Sequence, residues 1–515
     1  MLTSFRRLTA ILLILALALP LAGAAAAAQP GVVRLDILAV NDFHGALAAE
    51  GKNPGAAALA SFLKAERAKN PAGTLIISAG DMFQGTPDSN LLHGKTVVEF
   101  MNAVGFDAMA LGNHEFDWGL DVLKERMAQA AFPMVAANIL DKGSGGRAEL
   151  VPPYVILERA GIRIAVVGFT TPDTAVTTNP RNVKDFVFAD PAATLKALVP
   201  ELKARGADII VALAHLASYP GEAPGDEADN LAAAAGGDLA AVVSGHSHQG
   251  VADNDVMPVV QGYYNGRSVA AVRIVYGAAS RHVLGATAAV MDVPPGLIPD
   301  KQVAAIVAAS QSEIAPVKGL VLGRAEAALP HDRFRLSPLG QWATDAMRQA
   351  ARADIALCNG GGLRAGLAAG PVTLGDMYAV MPFDNDLSVA EMTGAQVLAA
   401  LEYGIANAKF GMLQFSGLRV EFRAAAPYGQ RVAAVALADG SPLQADKVYR
   451  VAVSDFLVAG GDGYDMVKAA ARHVNTFLTL RDALAEAVRK AGAIRFRDDG
   501  RLQEISRSAA MFIAA

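Results

Sequence analysis

The chain has 515 residues, of which 53% are hydrophobic and 18% are charged. This length predicts more than one domain, since a domain typically holds about 100–200 residues. The formal net charge of −5 comes without a basic excess or a long run of like charges. The composition therefore argues against a nucleic-acid polymer as partner and against a disordered charged tail.

The first 28 residues have the pattern of an export signal. Arg6 and Arg7 form a basic start, an apolar stretch runs from Leu8 to Leu21, and small residues from Gly23 to Ala28 offer a cleavage site. A retained membrane anchor is the alternative, but the charge-free run is short for a span of about 20 residues. We predict a signal peptide that is removed, a periplasmic or secreted mature protein, and no stable membrane span.

Cys358 is the single cysteine, so a disulfide within one chain is impossible. It ends an apolar run and has no evident charged partner, which favours a buried, unreactive thiol over a nucleophile. An exported protein without disulfides must be held together by its cores and by any metal that it binds.

Short apolar runs in the first half of the chain predict buried strands that end in metal-binding residue types. The strand predicted at Val33–Val40 leads to Asp42 and His44, which point to the same side of an extended segment. The strand predicted at Thr74–Ser78 leads to Asp81. Loops at strand ends commonly hold catalytic and ligand-binding residues.

The same pattern continues along the chain. Residues 97–104 predict a helix, and the apolar run Ala108–Leu111 then delivers Asn113 and His114 together. Asp117 follows three residues later, where its carboxylate can accept a hydrogen bond from the imidazole and fix its tautomer.

Two further predicted strands end in histidines. His215 closes the run Ile209–Ala214, while His246 and His248 follow the run Ala241–Ser244. Five of the nine histidines thus stand at predicted strand ends. Histidines buried at random in a core would not concentrate in this way, so a shared site is favoured.

The set of residue types indicates which ions fit. Imidazole, carboxylate and amide groups without thiolate suit Zn, Mn, Co or Fe better than Ca. Four imidazoles besides that of His114, two aspartates and one amide are enough for two ions that share one carboxylate. Two cations about 3.5–4 Å apart can clamp the attacking and leaving oxygens of a phosphoryl displacement.

The strand-rich pattern stops near Met291–Gly296, and Lys301–Ile314 predicts a helix, so we expect a linker before a second domain. That domain contains a predicted strand at Asp354–Cys358, followed by a turn with three glycines that ends in Arg364. Glycine backbone N–H groups can approach an anion, and a guanidinium can hold two phosphate oxygens. On its own, such a turn is more often structural than functional.

These motifs resemble a known family. The five strand-end blocks resemble calcineurin-like metallophosphoesterases, and the chain from roughly residue 33 to 505 resembles periplasmic and ecto-5′-nucleotidases of the UDP-sugar hydrolase/5′-nucleotidase type. The resemblance implies an α/β protein with a four-layer αββα sandwich and a smaller α/β C-terminal domain. We expect a signal at 1–28, a metallophosphoesterase domain at 31–292, a linker with a helix at 293–318 and a substrate-binding domain at 319–507.

The resemblance also implies roles for individual residues. It makes His114 the catalytic histidine and Asp117 its partner. It assigns one ion to Asp42, His44 and His248 and the second ion to Asn113, His215 and His246. Asp81 is expected to bridge the two ions. Some relatives have Gln at the position of His248, so the preference of the first ion stays open.

The resemblance places substrate binding in the second domain. The expected residues are Arg333, Asn359, Gly361, Gly362, Arg364, Phe383, Asn385, Phe456 and Asp462. The two phenylalanines, which would otherwise be taken as core residues, are expected to sandwich the nucleobase. Asp462 is expected to contact the ribose hydroxyls and Asn385 the base edge. Arg335 is an alternative to Arg333, and Asp384 replaces a small residue, with an expected influence on base or headgroup preference.

The expected function is removal of the 5′-phosphate of small nucleotides by metal-bound hydroxide, in a monomer or weak dimer. A UDP-sugar or 2′,3′-cyclic-nucleotide hydrolase of the same family is the alternative, followed by a thiosulfohydrolase relative or a non-catalytic nucleotide-binding protein. The paired phenylalanines argue against the thiosulfohydrolase, and the complete ligand set argues against a non-catalytic protein. We also expect the two domains to swing toward each other during turnover, about a hinge near 292–300.

Overall fold

The computed structural model describes residues 31–221 and 226–505, so the predicted signal peptide lies outside the described residues. The strands of the first half are β1 (Val32–Val40), β2 (Thr74–Ser78), β3 (Ala108–Ala110), β4 (Met134–Val135), β5 (Ile139–Asp141), β6 (Tyr154–Arg159), β7 (Ile162–Thr170), β8 (Phe186–Phe188), β9 (Ile209–His215), β10 (Ala241–Val243), β11 (Gly250–Asp253), β12 (Val259–Gly262), β13 (Ser268–Gly277) and β14 (His282–Asp292). The helices before the second half are α1 (Gly55–Ala68), α2 (Pro87–Asn90), α3 (Lys95–Val104), α4 (Gly119–Gln129), α5 (Thr174–Thr177), α6 (Pro191–Ala204), α7 (Glu227–Ala235) and α8 (Lys301–Lys318).

The strands of the second half are β15 (Val321–Ala325), β16 (Ile355–Cys358), β17 (Gly370–Thr373), β18 (Asp386–Thr393), β19 (Gln414–Ser416), β20 (Leu418–Phe422), β21 (Val432–Leu437), β22 (Val448–Ser454), β23 (Arg472–Thr479), β24 (Ala493–Ile494) and β25 (Leu502–Glu504). Its helices are α9 (Pro338–Ala350), α10 (Leu374–Val380), α11 (Gly394–Gly404), α12 (Asp455–Val458), α13 (Asp465–Lys468) and α14 (Leu480–Ala491). Most predicted elements are present, although α3 begins at Lys95 rather than at residue 97 and α8 extends to Lys318 beyond the predicted Ile314.

Two six-stranded sheets form the first half, in the orders β14-β13-β1-β2-β3-β4 and β11-β12-β10-β9-β7-β6. Side chains alternate along β1, where Ile37 faces the core between the sheets and Leu38 faces the outer core with the helices. The same alternation places Val211 of β9 between the sheets and Ala212 against α6 and α7. Two sheets that bury both faces in this way produce the helix–sheet–sheet–helix layering that was expected.

Neighbouring parallel strands bring the site loops to one edge of each sheet. β1, β2 and β3 run parallel, with Leu38 opposite Ile76 and Ile77 opposite Ala108. β9 and β10 are parallel neighbours in the second sheet. The opposite edge carries hairpin turns, such as residues 278–281 between β13 and β14, which are exposed and lie at the start of β1. The carboxyl ends of the strands therefore form one face of the domain and the hairpin turns another.

The second half is built around a five-stranded sheet in the order β19-β16-β22-β18-β23. Ala356 of β16 packs on the side of α9 and α14, and Leu357 packs on the side of α11. Cys358 is buried in this sheet, and burial together with the charge of Asp462 raises the pKa of its thiol to about 12. The predicted burial of this cysteine is thus confirmed, and the raised pKa is consistent with the predicted lack of reactivity.

Helix α8 connects the two halves. The Asp300 side chain accepts hydrogen bonds from the backbone N–H groups of Gln302 and Val303 and so caps its N-terminus. Val303 and Val307 are buried in the core that α1 and α3 form with the first sheet. The connecting helix is therefore packed on the first domain. Among the described residues, no helix combines the length and apolarity that a membrane crossing requires.

Candidate active site

The backbone is strained where the expected metal ligands stand. Five of these residues adopt a left-handed conformation that favours glycine: Asp42 (φ 49°), His44 (φ 50°), Asp81 (φ 53°), His246 (φ 74°) and His248 (φ 60°). Each such position costs about 1–3 kcal/mol, and such residues cluster at functional sites, where the surrounding structure holds them in place. The strand-end loops are thus shaped to aim these side chains rather than to relax the chain.

Asp42, His44 and His248 form the first group of possible ligands, with one ligand atom of each within 4.8 Å of the others. Nδ1 of His44 lies 2.8 Å from the carbonyl oxygen of Gln84. A carbonyl only accepts, so Nδ1 carries the proton and Nε2 presents a lone pair, 3.0 Å from Nε2 of His248. Burial and the charge of His248 lower the pKa of His44 to about 3, which keeps this imidazole neutral.

Asp81, His215 and His246 form the second group within the same 4.8 Å limit. Nδ1 of His215 donates to the carbonyl oxygen of Ala79 at 2.8 Å, while its Nε2 lies 3.1 Å from Asp81 Oδ2 and 3.2 Å from Asn113 Oδ1. Although burial lowers it, the carboxylate of Asp81 raises the pKa of His215 to about 10 overall. The pocket around Asp81 therefore strongly favours positive charge.

These groups fit two divalent cations. Converging imidazole nitrogens and carboxylate oxygens repel one another unless a proton or a cation lies between them. The Nδ1 hydrogens of His44 and His215 are donated to backbone carbonyl oxygens, so the Nε2 atoms of both rings are left to face a cation. Nitrogen and oxygen donors without sulfur suit the transition metals named above. Asn113 contributes an amide oxygen to the second group, as expected from the sequence.

Glu115 holds the Asp81 loop in place, a role that sequence analysis missed. Its buried carboxylate accepts hydrogen bonds from the backbone N–H groups of Asp81 (2.8 Å), Met82 (2.9 Å) and Gly112 (2.7 Å). A Cβ at Gly112 would lie 2.2 Å from Asp81 Oδ1, so only glycine allows the two loops to approach. A carboxylate directly after His114 was the available signal for this role.

His114 and Asp117 form a hydrogen-bonded pair beside the ligand groups. Nδ1 of His114 lies 2.7 Å from Asp117 Oδ2, and Asp117 Oδ1 accepts from the Thr178 hydroxyl at 2.8 Å. Burial lowers the pKa of His114, but the charges of Asp117 and Asp81 raise it overall. Asn182 donates to the backbone oxygens of Phe116 and Asp117. Nothing in the sequence pattern pointed to Thr178 or Asn182, because they come from a distant loop.

A cavity of about 550 Å³ brings the two domains' site residues together. From the first domain it is lined by Asp81, Asn113, His114, Asp117, His246 and His248, and from the second by Arg333, Asn359, Gly361, Gly362, Arg364, Phe383, Asn385, Phe456 and Asp462. All nine expected substrate-binding residues therefore face one cavity with the catalytic pair. Arg335 is exposed, whereas Arg333 lines the cavity, which favours Arg333 of the two.

Charged groups in the second domain surround the cavity. Burial and the charge of Arg333 lower the pKa of Arg364 to about 10, so its guanidinium stays protonated at neutral pH. Burial raises the pKa of Asp462 to about 6, although the Asn359 amide donates to its Oδ2 at 2.6 Å. Two arginines and several backbone N–H groups of the glycine turn make this wall suitable for an anion.

The loop with Phe383 is held from outside the cavity. The Phe383 ring stacks near the His114 ring, with centroids 6.0 Å apart. Asp384 pairs with Arg481, whose guanidinium lies over the Tyr378 ring at 3.8 Å. Asp384 thus lines the cavity while its carboxylate is engaged by an arginine, a partner that sequence analysis could not identify.

Comparison with known proteins identifies the family. The chain matches the calcineurin-like phosphoesterase family at residues 35–250 and the 5′-nucleotidase C-terminal domain at residues 313–469. A 5′-nucleotidase of Vibrio cholerae is 31% identical, over 86% of this chain and 88% of its own length. The chain belongs to the 5′-nucleotidase family. Protein UshA of Escherichia coli is 30% identical, over 90% of this chain and 92% of that protein.

A solved structure agrees with this assignment. The 5′-nucleotidase precursor from Thermus thermophilus has a TM-score of 0.78 and 29% identity, over 92% of this chain and 99% of that one. The expected family, α/β fold class and enzyme class are thereby confirmed, and the protein is a phosphoester hydrolase. Members of a metallophosphoesterase family use divalent metals, for which the two carboxylate–histidine groups are the candidate positions.

Proposed function

We propose that this 5′-nucleotidase family member is an exported enzyme that uses two divalent ions to remove the 5′-phosphate of small nucleotides. The observation that carries the proposal is the single cavity in which the catalytic pair and the nine expected substrate-binding residues meet. The names of the relatives from Vibrio cholerae and Thermus thermophilus support a nucleotide as the substrate.

The two ligand groups would each hold one ion of the Zn, Mn, Co or Fe type. We assign Asp42, His44 and His248 to one ion, Asn113, His215 and His246 to the other, and Asp81 to the bridge between them. When bound, the ions supply an activated water as nucleophile and offset negative charge on the phosphoryl oxygens.

His114 would act on the phosphoester without holding metal. Its Nδ1 proton is used in the hydrogen bond with Asp117, so Nε2 is the atom that can donate toward the phosphate or the departing ribose oxygen. The raised pKa of His114 favours the protonated form that such a donor needs. Asp117, held in turn by Thr178, fixes the orientation of the ring.

The second domain would recognise the rest of the nucleotide. Arg364, Arg333 and the glycine turn at Gly361 and Gly362 would grip the phosphate. Phe383 and Phe456 would stack on the base, which is worth about 1–3 kcal/mol per base and tolerates different bases. Asp462, oriented by Asn359, would accept hydrogen bonds from ribose hydroxyls, and Asn385 would meet the base edge.

The remaining expectations stay part of the proposal. We propose that residues 1–28 direct export to the periplasm or the medium, that the domains divide at 31–292, 293–318 and 319–507, and that the enzyme acts as a monomer or weak dimer.

A panel of substrates tests the proposal. Protein reconstituted separately with Zn, Mn, Co and Fe is assayed for phosphate release from AMP, ATP, UDP-glucose and 2′,3′-cyclic AMP, and for sulfate release from a thiosulfonate. We expect AMP to be the best substrate. Preference for UDP-glucose or for the cyclic nucleotide would move the assignment to the alternative hydrolases. Sulfate release would favour a thiosulfohydrolase, and nucleotide binding without turnover would overturn the enzymatic role.

A further inference from the structure

One loop of the first domain holds the catalytic pair from behind. The loop runs from Thr178 to Asn182 and follows α5. The Thr178 hydroxyl donates to Asp117 at 2.8 Å, and the Asn182 amide donates to the Asp117 backbone oxygen at 3.0 Å. A displacement of this loop would therefore disturb the carboxylate that orients His114.

The same loop contacts the second domain at one carboxylate. Asp455 Oδ2 accepts from Arg181 Nη1 at 3.2 Å and from the Asn179 amide at 3.3 Å. The Asp455 side chain is 6% exposed and that of Arg181 is 50% exposed. A nearly buried carboxylate that meets an arginine only across a domain boundary depends on the two domains staying together.

Asp455 also joins the two loops that carry the proposed base-stacking rings. It directly precedes Phe456, and its Oδ1 accepts from the backbone N–H of Asp386 at 3.1 Å, three residues after Phe383. One carboxylate thus connects both aromatic loops of the second domain with the loop that fixes Asp117 in the first.

We propose that Asp455, Arg181 and Asn179 form a coupling contact that makes alignment of the His114–Asp117 pair depend on a base being seated between the phenylalanines. Arg181 and Asp455 are positioning residues in this proposal, since they reach the reaction through Asp117 and Phe456. The inference rests on the proposed nucleotidase function and adds to it the reason why a substrate with a base would turn over faster than one without.

The chain offers a matched control. Lys409 of the second domain pairs with Asp173 of the first at 2.7 Å, which is another ion pair across the domain boundary. In the described structure, neither residue hydrogen-bonds the aromatic loops or Asp117. Both residues line the cavity, so Lys409→Gln reports the effect of losing a cavity-lining interdomain ion pair while the proposed connection stays intact.

The test compares AMP with ribose 5-phosphate, which has the same phosphate and sugar but no base. In Arg181→Gln and in Asp455→Asn, we expect the ratio of kcat/KM for AMP to that for ribose 5-phosphate to fall about ten-fold, the size of one lost charge-assisted hydrogen bond at the lower end of its usual range. In the double variant the ratio should fall no further, because both substitutions remove the same contact. Arg181→Lys should restore part of the ratio. The fall in Lys409→Gln should be clearly smaller than that in Arg181→Gln, and an equal fall would count against the coupling.

Adenosine has no phosphate to release, so its binding to the metal-loaded protein, measured by calorimetry, gives a readout that does not involve turnover. Arg181→Gln should weaken adenosine binding several-fold while leaving the thermal unfolding midpoint in place. Equal losses for AMP and ribose 5-phosphate, additive losses in the double variant, or unchanged adenosine affinity would overturn the coupling. A wild-type protein that is inactive toward AMP would overturn the proposed function itself, and the coupling with it.

Discussion

Glu115→Gln should loosen the metal centre although Glu115 binds no metal. The carboxylate accepts three backbone N–H groups, two at Oε2 and one at Oε1. A glutamine has only one acceptor oxygen, so at least one buried N–H is left facing an NH₂ group. Hydrogen bonds to charged acceptors contribute about 1.5–3 kcal/mol each, and an unsatisfied buried donor adds about 1–3 kcal/mol. We expect a loss of roughly 2–4 kcal/mol of stability in the first domain.

The same substitution should weaken metal binding, because Asp81 is held in its strained conformation by two of these bonds. Changes in groups that orient ligands typically cost about 10–100-fold in metal affinity. Metal content after dialysis against graded chelator measures this loss. Trp342→Phe leaves Trp118, in the first domain, as the single tryptophan, so its fluorescence in a urea titration reports the unfolding of that domain.

Glu402 provides the control for this experiment. It is also buried and accepts three backbone N–H groups, from Gly429 (2.6 Å), Arg431 (2.8 Å) and Val432 (2.7 Å), but it lies in the second domain. Glu402→Gln should cost similar stability in its own domain and leave the metal affinity intact. If Glu115→Gln retains full metal affinity, or if Glu402→Gln loses metal equally, the reasoning about Glu115 is refuted.

Three further predictions concern the cavity. His114→Ala should keep both ions in a metal analysis and lose roughly 10²–10⁴-fold in kcat, whereas Asp81→Asn should lose metal; an empty site in His114→Ala would contradict the division of roles. Phe456→Ala should lower kcat/KM for AMP about 5–150-fold, corresponding to about 1–3 kcal/mol of stacking, and change that for ribose 5-phosphate little. Because folding raises the pKa of Asp462 from 3.8 to about 6, the folded state is progressively destabilised as the pH rises from about 4 to about 6. Asp462→Asn should remove this fall in denaturant titrations, with a higher KM for AMP; an unchanged pH profile of stability would refute the linkage.

The two groups of metal ligands could be predicted because each ligand stands close in sequence to the strand that positions it. Each expected ligand follows an apolar run directly, and parallel strands must end at a shared edge, so Asp42, Asp81 and His215 could be brought together without a structure. The layering of two sheets was implied by the family resemblance, and the alternating burial along β1 and β9 now supplies its cause. Asp and His adopt left-handed conformations more often than most residues, but most of them do not, so the residue types alone could not predict the five strained positions.

What escaped prediction depends on contacts between distant segments. Thr178 and Asn182 are ordinary loop residues until the fold places them behind Asp117, 61 residues away in the case of Thr178. Arg481 opens a helix with an amphipathic pattern, and only the structure shows that it engages Asp384. Such pairs have no fixed spacing, so one sequence contains no signal for them.

The separation between the strand ends and the hairpin turns has a practical consequence. Residues 278–281 lie on the face of the first domain opposite the cavity, and they are exposed. A short tether inserted there would attach the enzyme to an electrode or a bead with the opening of the cavity facing the bulk solution. Immobilised in that orientation, the protein would meet small analytes freely, which suits it to a phosphate-releasing sensor layer.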